Sequence, residues 1–403
     1  MFRNLPPSPS DPMLVLKRAA DNDHSPDKVD LGVGVYRNEQ GAYHELQALK
    51  EAKKILSQEN PGHDYEVTTG KQSFLQNAAE LVFSAESEVI QSRRLTSVQT
   101  ISGTGAVHLA ALFLSRCAEF KDKKVYIGTP AWGNYEPIFT LVGFQVAKYR
   151  HYSSKKAAVD FDEILKAVGS APPGSIFVLQ ACCHNPTGAD FSKEQWRALA
   201  EAMKERRLFP FFDIAYQGLG GGLEEDAYSV QHFTQMGFEL LACQSFSKNF
   251  GIYGERCGVL HVVGEDSAVA GGIYEQLRCL IRWEFSSSPA YGSRLVNIIL
   301  QDPSLTLKWR DELASMRDRL VENRKKLYYG ITEEKKTPGD WTSIISTTGL
   351  FCYLPLTPEQ CSRLRVDRHI YFPENGRINV AGLNASNLKT VISAIYEVVT
   401  IVD

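Results

Sequence analysis

The sequence predicts an α/β protein: a doubly wound, mostly parallel sheet in a large domain, with a smaller α+β domain made of the N- and C-terminal segments. Three observations carry that expectation. From residue 98 onward, short apolar, β-rich runs alternate with helical stretches, which is the rhythm of βαβ units. The runs SIFVLQ, LFPFFDIAY and ELLACQS are nearly continuous in apolar residues, as strands buried on both faces are. The polar residues of chemical interest, Trp132, Asn185, Asp213 and Lys248, fall at the ends of such runs, and ligands of open parallel sheets sit outside the carboxyl ends of the strands.

Taken in order, residues 1–41 read as an arm and part of the small domain. They begin rich in Pro, Ser and Asp, with a short helix at PMLVLKRAA, and continue into LGVGVYR, a turn or short strand where Gly32 and Gly34 allow close backbone approach. Residues 42–315 are assigned to the large domain. Its first helix, Gln47 to Gln58, has apolar residues at helical spacing (Leu49, Ala52, Ile55, Leu56), and a second follows from Gly70 to about Ala85. VQTISGTGAVHLAALFL is then a strand, a glycine turn and an apolar helix. KVYIGTPAW and SIFVLQACCHNPTG are strands running into turns, and the helix WRALAEAMKERR leads to the strand LFPFFDIAY and on to ELLACQSFSKN. A long charged helix, Asp302 to Tyr329, connects to residues 316–403 of the small domain, where GLFCYLPL, RHIYF and GRINVAGL read as short strands. ASNLKTVISAIYEVV is an amphipathic closing helix with Asn or Ser near its N-cap.

Bulk properties narrow the function classes. At 403 residues and 43% hydrophobic content the chain supports a large core, and a net charge of -3 gives no basic excess for nucleic acid or an anionic membrane. No run approaches the roughly eighteen apolar residues of a membrane span. The start, MFRNLPPSPSDPM, has no signal-peptide core and too little arginine for a transit peptide. Eight cysteines (117, 182, 183, 243, 257, 279, 352 and 361) lie in mostly apolar surroundings with no CxxC or CxxH spacing, so they read as thiols of a reducing compartment and no metal site is expected. A cytoplasmic location follows as an expectation.

The chemistry centres on LACQSFSKNFGIYGERCGVL, residues 241–260. Lys248 stands among small and hydroxylated residues, with Ser245 and Ser247 before it and Gly251, Gly254 and Arg256 after it, a setting for an amine that forms a Schiff base beside an anion. SGTGA, from Ser102 through Gly103 and Thr104, opens an apolar helix, whose free N–H groups cradle anions. It lacks both GxGxxG and the GK[ST] ending, so a single phosphate fits better than a dinucleotide or triphosphate. Asp213 lies in so apolar a strand that it needs a cationic partner, from an Arg or Lys of the chain or from a ligand such as a protonated ring nitrogen. Asn185 and Tyr216 are placed to hydrogen-bond a phenolate-like oxygen, and Trp132 offers a flat face for stacking. Arg377 in NGRINVAGL and Arg282 in LIRWEFSSSP have the setting of carboxylate clamps, though each alone also suits a structural ion pair. Two such arginines in one cleft suit a dicarboxylate.

Assembled, these motifs resemble the aspartate aminotransferases, pyridoxal 5'-phosphate enzymes of fold type I, and their eukaryotic branch in particular. The resemblance runs from LGVGVYR through SGTGA, TPAWGNY, HNPTG, FPFFDIAYQG and QSFSKNFGIYGERCG to GRINVAGL. It implies that Lys248 holds the cofactor and moves the substrate proton, that Asp213 keeps the pyridine nitrogen protonated, that Asn185 and Tyr216 bind the ring oxygen and that Trp132 stacks on the ring. It gives the phosphate to Ser102, Gly103, Thr104, Ser245, Arg256 and, from a neighbouring subunit, Tyr65. Arg377 is implied to clamp the α-carboxylate and Arg282, across a homodimer, the side-chain carboxylate, with Gly34 and Val33 touching substrate as a mobile small domain closes. The implied reaction is transamination of L-aspartate with 2-oxoglutarate. A changed substrate or a lyase reaction on the same cofactor is the alternative, and a non-catalytic binding paralogue a third.

The chain departs from the family pattern where it matters. Tyr135 in WGNY and Gln180 before ACCHNPTG both replace histidines, in the surroundings of Asp213, where a hydroxyl and an amide can still donate hydrogen bonds. DYEVTTG around Tyr65, YHELQAL, SSSP after Arg282 and the shortened YQGLGGG lie near the implied entrance and dimer contacts. A divergent member of the family is therefore expected.

Overall fold

A computed structural model describes residues 11–400 of the protein. They divide into two compact units. The larger is His44–Arg319 with Thr347–Gly349, and the smaller takes the segments up to Tyr43, Leu320–Ser346 and from Leu350 onward.

The larger unit is built on seven strands: β1 (Leu95–Ile101), β2 (Lys124–Thr129), β3 (Gln145–Arg150), β4 (Ile176–Gln180), β5 (Phe209–Ile214), β6 (Leu240–Ser245) and β7 (Cys257–Val263). Their order across the sheet is β1-β7-β6-β5-β4-β2-β3. Every neighbouring pair is parallel except those of β7, which runs antiparallel to both β1 and β6. The sheet is therefore the mostly parallel one that the apolar runs imply.

Alternation along the central strands sends side chains into two separate cores. Ile176, Val178, Phe211, Leu241 and Cys243 join one cluster, with Val107 and Leu109 of helix Ser102–Arg116, Tyr135 and Phe139 of Tyr135–Leu141, and Leu277 and Ile281 of Ser267–Glu284. Phe177, Leu179, Phe212, Leu240 and Ala242 join the other, with residues of Gln72–Phe83, Phe161–Ser170, Lys193–Glu205 and Leu223–Gln235. The period of two then decides where the last residues of the strands point. Gln180, Asp213 and Ser245 share the parity of the first group, so the carboxyl ends of β4, β5 and β6 present three polar groups on one face. Gln180 pairs in register with Asp213, and Asp213 with Cys243.

Local signals set the helices. Ser192 and Gln195 form a reciprocal capping box at Lys193–Glu205, and the Asp266 carboxylate caps Ser267–Glu284. The long helix, Pro303–Tyr329, opens with Asp302 accepting from the N–H groups of Ser304 and Leu305, begins in the larger unit and ends in the smaller. Within the larger unit its Trp309 stacks on Phe250 at 4.5 Å and donates to the carbonyl of Asn249 at 2.8 Å, fixing the backbone that follows Lys248.

In the smaller unit Val29–Asp30 pairs in parallel with Ile370–Tyr371, and Phe351–Tyr353 pairs antiparallel with Arg377–Asn379. Helix Pro12–Asn22 is capped by Asp11 and followed by Asp23, whose carboxylate accepts from Tyr371 and His369, each at 2.7 Å. These bonds and the N–H of Ser25 hold that carboxyl down at about 2. Helix Pro358–Arg368 carries a second capping box, and Leu388–Thr400 closes the described chain.

Replacing Phe177, which is fully buried in the second cluster, with Ala leaves a cavity and is expected to cost about 3–5 kcal/mol, read as a lowered midpoint in a urea titration.

Candidate active site

A cavity opens at the carboxyl ends of β4, β5 and β6. Its lining includes Ser102, Gly103, Thr104, Trp132, Gln180, Asn185, Asp213, Tyr216, Ser245, Ser247, Lys248 and Arg256, all named from the sequence, together with Ala215.

Asp213 sits at the floor, 9% exposed. Its Oδ2 accepts a 2.6 Å hydrogen bond from the Tyr135 hydroxyl, itself 1% exposed. Burial raises the Asp213 carboxyl to about 6, against the pull of that bond and of the Lys248 charge. Burial likewise drives the Tyr135 phenol well above its ordinary value, and the adjacent carboxylate adds to the shift, so Tyr135 stays a neutral donor. Lys248 is half-buried, with its ammonium 5.1 Å from the centre of the Tyr216 ring and no carboxylate of the described residues within ion-pair distance. Desolvation lowers it to about 8, Asp213 opposing and Arg256 adding to the shift. A buried carboxylate beside an amine of lowered pKa, with no ion pair closed between them, is suited to a cation and an electrophile brought in by a ligand.

The cradle beside them is built for a compact anion. Ser102 takes a left-handed backbone (φ 63°) at the start of the fifteen-residue helix Ser102–Arg116, whose first N–H groups are open to a ligand. A Cβ on Gly103 would lie 2.9 Å from that of Ser245, and one on Gly258 only 2.6 Å from the Ser102 backbone, so glycine alone permits this approach. The Ser247 hydroxyl bonds those of Ser102 and Ser245, each at 3.2 Å, and all three residues are 3% exposed. Arg256, also left-handed (φ 52°), donates to the carbonyl of Tyr253 and lines the same cavity. Ser247 was legible as the second member of the SxS pair before Lys248.

Gln180 is a correction. The sequence suggested that its amide, like the Tyr135 hydroxyl, would donate within the surroundings of Asp213. Only Tyr135 does so. Gln180 instead bonds the backbone of Asn185, donating to its carbonyl at 2.9 Å and accepting from its N–H at 2.7 Å. The turn beyond is braced by Asp190, which accepts from the N–H groups of Cys183 and His184. The shortened YQGLGGG loop is braced by Asp226, which accepts from the N–H groups of Gly218, Gly220 and Gly221. A Cβ at Gly220 would stand 2.5 Å from the Asp226 carboxylate, which explains the glycine there.

Five expected residues lie outside the cavity lining, among them Val33 of the smaller unit. Tyr65 is 90% exposed, and Arg282 is exposed at the end of helix Ser267–Glu284, donating to Ser286. Arg377 and Gly34 belong to the smaller unit. There the Arg377 guanidinium lies over the Phe351 ring at 4.6 Å and donates to the Gly32 carbonyl at 2.7 Å, while Gly34 approaches Phe351 so closely that a Cβ would stand 3.1 Å from it.

The profile of the family described as aminotransferase class I and II matches residues 26–395. This chain belongs to that family. Its cofactor is pyridoxal phosphate, and the cavity fits it, with an anion cradle, a buried carboxylate for a ring nitrogen and an amine of lowered pKa in one lining. The aminotransferase is 41% identical over 398 residues to the mitochondrial aspartate aminotransferase of Dictyostelium discoideum, covering 98% of this chain and 93% of that one. It is 42% identical over 398 residues to aminotransferase tasG of Hapsidospora irregularis, covering 99% and 96%. Among solved structures, the aromatic-amino-acid aminotransferase of Burkholderia pseudomallei, covalently bound to pyridoxal phosphate, superposes with a TM-score of 0.97 at 37% identity over 99% of this chain and all of that one.

Two outcomes are expected of the ligand-free protein. Tyr135→Phe removes a bond that holds the Asp213 carboxyl down, so its titration moves above about 6, as followed by the carboxyl infrared band. Borohydride trapping of added pyridoxal phosphate labels the peptide containing Lys248, with the labelled fraction rising through about pH 8, and Lys248→Arg abolishes it.

Proposed function

We propose that this enzyme transfers the amino group of L-aspartate to 2-oxoglutarate, yielding oxaloacetate and L-glutamate. The observation that carries the reading is the pairing of an unneutralised buried carboxylate, Asp213, with an amine of lowered pKa, Lys248, above an anion cradle. Pyridoxal phosphate, when bound, supplies the sink for the electron pair released at the substrate α-carbon. Asp213 holds the proton on the ring nitrogen, so that the ring stays cationic in a site too apolar for a lone carboxylate. Lys248 takes the proton from the α-carbon and returns it. Ser102, Ser245, Arg256 and the N–H groups of Gly103 and Thr104 hold the phosphate, Asn185 and Tyr216 donate to the ring oxygen, and Trp132 stacks on the ring.

Arginine chemistry supports a dicarboxylic substrate. Arg377 has a guanidinium edge oriented by Phe351 and Gly32, which suits an α-carboxylate. Arg282 and Tyr65 are exposed and absent from the lining of their own chain's cavity, which supports a homodimer in which each completes the site of the second copy. Gly34 and Val33 are assigned to substrate contact. A cytoplasmic location fits eight free cysteines. No helix of the described residues is long and apolar enough to cross a membrane. The likeness to an aromatic-amino-acid aminotransferase supports a second reading, in which another amino acid is the donor.

Arg282 separates the two readings. Arg282→Ala is expected to lower kcat/KM for aspartate by at least about a hundredfold, the loss of a buried charge-assisted pair, and to leave phenylalanine nearly unchanged, whereas Arg377→Ala depresses both. Stopped-flow absorbance of the bound cofactor with each amino acid reads the difference. Equal losses with aspartate and phenylalanine in Arg282→Ala would remove the dicarboxylate assignment.

A further inference from the structure

Asn185 lies in the turn after β4 and lines the cavity. Pro186 follows it and has no N–H to give, and both backbone groups of Asn185 are taken by one side chain. Gln180 Oε1 accepts from the Asn185 N–H at 2.7 Å, and Gln180 Nε2 donates to the Asn185 carbonyl at 2.9 Å. The pair forms one rung of an antiparallel ladder, with a side-chain amide in place of a second strand. Gln180 ends β4 and pairs in register with Asp213 of β5, so its own backbone is fixed by the centre of the sheet.

We infer that Gln180 is a positioning residue of this active site, setting the Asn185 amide against the ring oxygen of the cofactor. The inference rests on the reading of Asn185 as a donor to that oxygen. The residue type is demanded by the geometry: a primary amide both donates and accepts from one planar group, whereas a carboxylate cannot donate and Lys or Arg cannot accept. Asparagine has the same chemistry but is one methylene shorter. Through Gln180 the strand that abuts Asp213 would also hold the group assigned to the ring oxygen, so the register of β4 and β5 bears on both partners.

An N–H aimed at the ring oxygen favours its anionic form and lowers the pH at which the bound cofactor changes colour. Loss of that aim raises the midpoint. The test is a pH titration of the visible absorbance of holoenzyme carrying Gln180→Met, which keeps the side-chain volume and removes both bonds, beside Gln180→Ala, Asn185→Ala and the double variant Gln180→Met/Asn185→Ala. Asn185→Ala is expected to raise the midpoint by about one pH unit and Gln180→Met by roughly half of that, with kcat falling more than KM for aspartate rises. In the Asn185→Ala background Gln180→Met is expected to add nothing, which a merely structural role would not produce. An unchanged midpoint in Gln180→Met, or a shift of equal size in both backgrounds, overturns the inference. An unmoved midpoint in Asn185→Ala overturns instead the reading of Asn185 on which it rests. If one Gln180 variant fails to fold, the other gives the same comparison.

Discussion

A carboxylate and an amine share one poorly hydrated cavity without closing an ion pair, and much of the larger unit serves that arrangement. Asp213 is raised to about 6 and Lys248 lowered to about 8 by the same cause, removal from water. Left to a flexible chain, the two would either approach or turn outward, since burying an unpaired charge costs several kcal/mol. The sheet prevents both. Asp213 is inside β5, paired on each side by β4 and β6, and Lys248 follows β6 in a segment tied through Asn249 to Trp309.

The two departures nearest Asp213, Tyr135 and Gln180, have different physical consequences. Tyr135 meets Asp213 directly, and because burial and the neighbouring carboxylate push its phenol upward, it donates without gaining or losing charge across the working pH range. A histidine there could take up a proton. Gln180 makes no such contact and instead spends its amide on a backbone turn. Two replacements near one carboxylate thus diverge into one electrostatic role and one geometric role.

Rigidity around the site comes from carboxylates and small residues outside the chemistry. Asp226 gathers three N–H groups of the loop after Tyr216, and Asp190 gathers two in the turn before Asn185. His184 stacks on His151 at 4.1 Å, both buried and held neutral by desolvation, and bonds Thr187. The HNPTG motif is therefore packing and turn chemistry for all but its asparagine.

Apolar continuity of the strands, the glycines of SGTGA and the residues around Lys248 were legible in the sequence, because each reflects a local requirement: burial on two faces, a left-handed or close backbone, a desolvated amine. So were the α/β class and most of the cavity lining. The partner of Gln180 was not, since hydrogen-bond choice among nearby acceptors depends on how β4 enters its turn, which no pattern of residue types encodes. Nor was the common face of Gln180, Asp213 and Ser245, which requires the register of three strands far apart in the chain. Residue type decides what a group can do; the sheet, by fixing distance and burial, decided which groups do it together.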